Sequence, residues 1–147
     1  MPNPSAIETI SLRIPSRLEL LSFVDKVALG VCEHMEFDDE ACSQITMSVI
    51  EAGTNAIQHG HKRDASKMVD LDFIMHPDQL EVVVHDQGKG FDLAQLNGDV
   101  TSPEHLLDAR GRGIFIMKAC MDRVEFEFRD GTVCRLFKQR TRTAATA

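Results

Sequence analysis

The sequence predicts an α+β fold, a two-layer sandwich in which a mixed sheet carries about three helices on one face. Three observations lead there. Most strand-like runs alternate apolar and polar residues, the pattern of a sheet with one packed and one wet face. Longer runs place apolar residues three and four apart, the stripe of a helix lying on such a sheet. And 147 residues, 43% hydrophobic and 27% charged, suit one ordinary domain that can bury a core.

The elements follow in order. Residues 1–8 carry no pattern and are expected to be flexible. In "TISLRIP", Ile10, Leu12 and Ile14 alternate with Ser11 and Arg13, a half-buried strand. Ser16 to Glu19 has the spacing of a capping box and opens a helix whose stripe is Leu20, Leu21, Val24, Val27, Ala28, Val31 and Met35. Asp38 and Asp39 cap a second helix, which turns Cys42, Ile45, Val49, Ala52 and Ala56 inward. A strand over Lys67–Met75, the turn "HPDQ" and a strand over Leu80–His85 come next. Asp92 to Arg110 is glycine-rich and polar and reads as a long loop. "GIFIMKACMD" is a short apolar helix, followed by "VEFEF", a turn with the hairpin dipeptide Asp-Gly, and "VCRLFK". Residues 140–147 are expected to fray. No repeat or domain boundary interrupts the chain, so residues 1–147 are read as a single domain.

Composition excludes several classes. Sixteen Lys and Arg against 23 Asp and Glu leave a formal net charge of −7, unlike the basic face of a nucleic-acid binder. The most apolar long segment, Leu18–Cys32, contains Glu19, Asp25 and Lys26 and cannot span a membrane. The four cysteines form no CxxC pair, and the start lacks a basic, then apolar, signal segment. A soluble cytoplasmic protein with reduced thiols is expected.

Three stretches ask for a chemical explanation. In "SVIEAGTNAIQHGH", Glu51, Asn55 and His59 fall on one helix face, while Gly53 is about 1 kcal/mol poorer than Ala in a helix interior. A solvated polar face would account for the ridge. A metal site would as well: an amide oxygen is a hard ligand suited to Mg²⁺, and a carboxylate one turn away can take a proton from an attacking hydroxyl. In "HDQGKGF", Asp86 ends a strand and Gly88 and Gly90 follow, either an ordinary turn or a close backbone approach to a ligand. In "ARGRGIFIM", Gly111 and Gly113 precede a helix, with Arg110 and Arg112 beside them, either a flexible helix entry or a phosphate seat. No GxxxxGK[ST] loop occurs.

Order and spacing join the three. E51-x-x-x-N55-A-x-x-H59, D86-x-G88-x-G90-F91 and G111-R-G113-I together resemble the N box and the two glycine boxes of the GHKL ATPase superfamily. Within it, "SPEHLLDARGRGIFIMKACMD" and the closing hairpin are similar to the anti-sigma factor serine/threonine-kinase group. The resemblance implies a Bergerat-type, histidine kinase-like ATPase fold with a mostly antiparallel sheet and ATP under an extended lid. It implies Mg²⁺ on Asn55, Glu51 as catalytic base, Asp86 on adenine, and Gly88, Gly90, Gly111 and Gly113 as lid hinges and phosphate cradle. Arg110, Arg112 and His59 are further candidates for contact with the nucleotide. Implied partners are a sigma factor, an antagonist with a phosphorylatable Ser or Thr, or both, and a second copy in a homodimer. The competing readings are a nucleotide-gated binding protein without useful kinase activity, and a slow stand-alone ATPase.

Other residues are read as structural. His59 and His61 flank Gly60 at a helix end without an evident third ligand, so no metal pair is assigned to them. Cys120 and Cys134 lack a His partner by spacing. His34, His76, His85 and His105 are scattered. Phe73, Phe115, Phe126 and Phe128 are expected in the core.

Overall fold

The computed structural model describes residues 6–88 and 109–140, with the backbone alone at Ala109 and Arg110. One sheet contains β1 (Glu8–Pro15), β2 (Met68–Met75), β3 (Gln79–Asp86), β4 (Arg123–Phe128) and β5 (Thr132–Gln139), in the order β1-β2-β3-β5-β4. Three helices accompany it: α1 (Leu21–His34), α2 (Asp39–Asn55) and α3 (Ala109–Cys120). The expected α+β sandwich is therefore present. The sheet is not mixed, since all four pairings among the described residues are antiparallel. β3 and β4 do run parallel, but β5 folds back from the β4 hairpin and inserts between them.

The alternation read from the sequence places the core. Val69, Leu71 and Phe73 of β2, Leu80, Val82 and Val84 of β3, and Leu136 of β5 are buried against Ile45, Val49 and Ala52 of α2 and Ile114 and Met117 of α3. Each such side chain contributes on the order of 1–3 kcal/mol through removal from water. The opposite face is polar: Arg13 pairs with Asp70 at 3.2 Å, and Arg135 with Glu81 at 3.1 Å. Burial on β1 is weaker than expected, with Ile10 42% exposed, because β1 is an edge strand. Phe73 is in the core and Phe126 is half-buried, but Phe115 and Phe128 are exposed, at 39% and 44%. Phe115 points off the outer side of α3, and Phe128 ends the edge strand β4.

α2 lies between α1 and α3 and spans the length of the site. Its start is as expected, with Asp38 Oδ1 accepting a hydrogen bond from the Ala41 N–H at 2.7 Å. Gly53 is explained by packing: a Cβ there would lie 2.7 Å from Leu21 Cδ2, so the glycine admits α1. Thr54 Oγ1 donates to the Ile50 carbonyl at 2.7 Å. The capping box expected at Ser16–Glu19 does not form. A 3₁₀ turn, Leu18–Leu20, precedes α1, Glu19 pairs with Arg17, and the buried Ser16 takes a distant partner, His61, at 2.6 Å.

Beyond Asn55 the helix changes pitch. Ala56–Gly60 forms a π turn, in which the His61 N–H reaches the Ala56 carbonyl at 2.8 Å. π turns of this kind are frequent at functional sites, where they re-aim side chains. α3 begins four residues earlier than expected, so Ala109 and Arg110 are helical rather than loop, and Gly111 and Gly113 lie inside the helix. The rest of the loop expected over Asp92–Arg110, and His105 within it, lies outside the described residues.

Candidate functional site

A cleft of about 350 Å³, its open mouth included, runs between α2 and the sheet. Asn55, Gly60, Asp86, Met117, Thr132 and Cys134 are among its lining residues. It has a sheet end and a helix end, built by different residues.

At the sheet end, Asp86 is the last residue of β3 and only 6% exposed. Burying a carboxylate is costly unless donors surround it. Its Oδ1 accepts from the Gly88 N–H at 2.7 Å. The backbone closes around it at three glycines. A Cβ on Gly60 would lie 2.7 Å from the Asp86 carboxyl carbon, one on Gly88 2.5 Å from the Gly60 carbonyl oxygen, and one on Gly131 on the Asp86 carbonyl. Gly131 also has φ +114°, which strains any side chain. Thr132 pairs in register with Asp86 across β3 and β5 and is buried. Cys134 lies opposite Val84, and its thiol is pushed up to about 12, chiefly by burial and then by Asp86.

At the helix end, Glu51 and Asn55 stand one turn apart on α2, and Gly113 of α3 rests on both. A Cβ there would sit 2.8 Å from Glu51 Oε2 and 3.4–3.5 Å from the Asn55 amide atoms. The carboxylate and the amide thus converge on one point. Asn55 Nδ2 is buried and lacks a hydrogen-bond partner among the described residues. A buried amide left this way is expensive, unless the site is built for a ligand.

Of the residues singled out from the sequence, Asn55 and Asp86 line the cleft; Glu51 and Gly113 meet at Asn55, and Gly88 meets Asp86. His59 sits half-buried in the π turn, where the change of pitch ends the α-helical spacing that relates Glu51 and Asn55. Gly111 is buried and Arg112 exposed on α3; of Arg110 only the helical backbone is described. Gly90 lies outside the described residues. His61 is 1% exposed and bonded through both ring nitrogens. Among the described residues no three His, Cys, Asp or Glu side chains could hold a metal ion together.

Thr132 and Met117 line the cleft without having been singled out, and so does Cys134, which the sequence reading treats as structural. The signal for Thr132 was present but indirect. It follows the Asp-Gly turn immediately, yet only the strand order reveals that β5 places it beside Asp86.

Residues 14–138 match the histidine kinase-like ATPase domain. The chain is 30% identical over 134 residues to the serine-protein kinase RsbW of Bacillus subtilis strain 168, covering 88% of this chain and 84% of that protein. To the serine-protein kinase RsbW of Oceanobacillus iheyensis it is 27% identical over 140 residues, covering 91% and 88%. Among solved structures, it is similar to the RsbU and RsbW domains of a Mycobacterium tuberculosis protein, with a TM-score of 0.69 and 14% identity over 93% of this chain. This chain spans 34% of that one, and the likeness speaks for the fold alone. No helix among the described residues is long and apolar enough to cross a membrane. A match over most of the length, on a sheet and cleft of this construction, means that the chain belongs to the histidine kinase-like ATPase domain family.

Proposed function

We propose that this protein is an ATP-dependent serine/threonine-protein kinase, a cytoplasmic partner-switching regulator that phosphorylates a protein antagonist and holds a sigma factor. The observation that carries the reading is that one cleft is lined by a buried carboxylate, Asp86, at its sheet end and by the Asn55 amide at its helix end, with the Glu51 carboxylate converging on that amide under Gly113.

In this reading the Asp86 carboxylate accepts a hydrogen bond from the adenine amino group, and Thr132 closes the same edge. Gly60, Gly88 and Gly131 let the backbone approach closely enough to fix that carboxylate. The Asn55 amide oxygen would hold Mg²⁺, a hard cation that takes few protein ligands, and the buried Nδ2, which lacks a partner among the described residues, would donate to an acceptor such as a phosphate oxygen. The cation, once bound, neutralises charge that develops on the transferred phosphoryl group. Glu51 orients the attacking hydroxyl of the partner's Ser or Thr and accepts its proton. Gly113 admits α3 against Glu51 and Asn55, so that the first turn of α3, with Gly111, Arg110 and Arg112, borders the phosphates. Gly90 and His59 complete the set that the family resemblance implies. A homodimer belongs to the same reading.

The test pairs two substitutions with labelled ATP and candidate partners. Asn55→Ala loses Mg·ATP binding, whereas Glu51→Ala keeps it and loses transfer of label to the partner. Transfer at the wild-type rate by Glu51→Ala would remove Glu51 from its role. A stable partner complex that never acquires label would instead favour a nucleotide-gated binding protein.

A further inference from the structure

Behind the sheet end of the cleft lies a buried histidine that the proposed chemistry does not use. His61 follows the π turn and is 1% exposed. Its Nε2 faces the Gln87 N–H at 2.7 Å, and its Nδ1 faces Ser16 Oγ at 2.6 Å. A backbone N–H can only donate, so Nε2 must offer its lone pair. The ring is therefore neutral, with its proton on Nδ1 and donated to Ser16 Oγ. Gln87 is the residue between Asp86 and Gly88, and Gly88 in turn donates to Asp86 Oδ1.

We propose that His61 is a positioning residue for the nucleotide site: its neutral ring holds the Asp86–Gly88 turn through Gln87, and protonating it releases that turn and weakens nucleotide binding. The inference rests on the assignment of the Asp86 cleft to the nucleotide. A protonated ring would set its Nε2–H against the Gln87 N–H, replacing a hydrogen bond with two opposed donors. The neighbours do not all favour the neutral ring. Asp86 on β3 and Asp64 on the following turn favour the cation, while Lys67 and His85 oppose it; burial is the largest influence and keeps the pKa below the ordinary 6.5. The unfolded chain therefore takes up the proton first as pH falls. Stability from His61 is complete above pH 6.5 and is lost on acidification below that value, toward the folded pKa.

The experiment is a titration of Mg·ATP affinity between about pH 7.5 and pH 5.5 for the wild type and for His61→Gln and His61→Asn. Gln carries an amide oxygen to the position of Nε2 and does not titrate. Asn keeps a donor for Ser16 but falls short of Gln87. The expected result is a wild-type affinity that drops by roughly threefold or more beyond the drop shared by His61→Gln, which reports protonation of the nucleotide itself. His61→Asn should bind weakly at both ends of the range, with no extra pH dependence. A second measurement needs no variant: ¹⁵N shifts of the wild-type ring should report the Nδ1–H tautomer. An Nε2–H tautomer, or pH profiles that coincide in wild type and His61→Gln, would overturn the proposal while leaving the nucleotide site intact. A wild type that binds no Mg·ATP even at the upper pH would overturn both.

Discussion

Gly113→Ala separates stability from phosphate transfer. The residue is the fifth of α3, inside the helix, where replacing Gly by Ala contributes about 1 kcal/mol of helix propensity. The added methyl would lie 2.8 Å from Glu51 Oε2 and 3.4 Å from Asn55 Nδ2. The nearest atom is the far end of a flexible side chain, so Glu51 can swing aside by several tenths of an ångström without moving the backbone. The fold should therefore keep its melting temperature or gain a few degrees. Transfer should fall by an order of magnitude or more, because displacing a reacting group by about 1 Å can cost ~10²-fold. Scanning calorimetry gives the first quantity, and single-turnover transfer from labelled ATP to the partner gives the second. Unchanged transfer by a fully folded Gly113→Ala protein would refute the reasoning, since then either the carboxylate is not used or α3 does not stand where it presses on it. A large loss of melting temperature would refute the claim that Glu51 can yield.

Two further outcomes can be checked without a partner. Ser48 Oγ is buried in α2 with no hydrogen-bond partner among the described residues, so Ser48→Ala should raise unfolding stability by about 1 kcal/mol, measured by urea denaturation. Native thiol labelling at about pH 8 should reach Cys120 first and spare Cys32 and Cys134, whose thiols burial pushes up to about 12; modification of either before Cys120 would contradict the burial.

The sequence made the framework legible because period and burial coincide. Val69, Leu71 and Phe73 alternate as a half-buried strand should, and all three are fully buried. Asp38 reads as a cap and is one, since capping depends only on residues three positions away. What stayed hidden depends on partners distant in the chain. Ser16 has the spacing of a capping box with Glu19, but its hydroxyl is taken by His61, 45 residues on. Thr132 enters the cleft only because β5 inserts beside β3. The π turn has no local signature at all: Ala56-Ile57-Gln58 continues an ordinary helical pattern, and the change of pitch is visible only in the i+5 bond from His61 to Ala56. The helix face thus keeps its α-helical spacing as far as Asn55, and the π turn departs from it before His59.

That change of pitch explains how one helix can serve both ends of the cleft. Asn55 must face α3 to stand with Glu51 under Gly113, whereas Gly60 must touch Asp86 at the end of the sheet. A regular α-helix turns about 100° per residue and cannot satisfy both demands at that separation while also releasing the chain toward β2. Widening the last turn to i+5 bonding lets Gly60 reach the carboxylate and sends His61 back under Gln87, where it meets Ser16 at the end of β1. The glycines then follow from geometry rather than from flexibility. Gly60 and Gly88 are small because each presses on the other's backbone or on Asp86, and Gly131 because the β4–β5 turn abuts the Asp86 carbonyl. The sheet end of the site is consequently a packed joint between β1, the π turn, β3 and β5. A disturbance in any of those elements must reach Asp86, and this makes a histidine at the centre of that joint an effective point from which to loosen it.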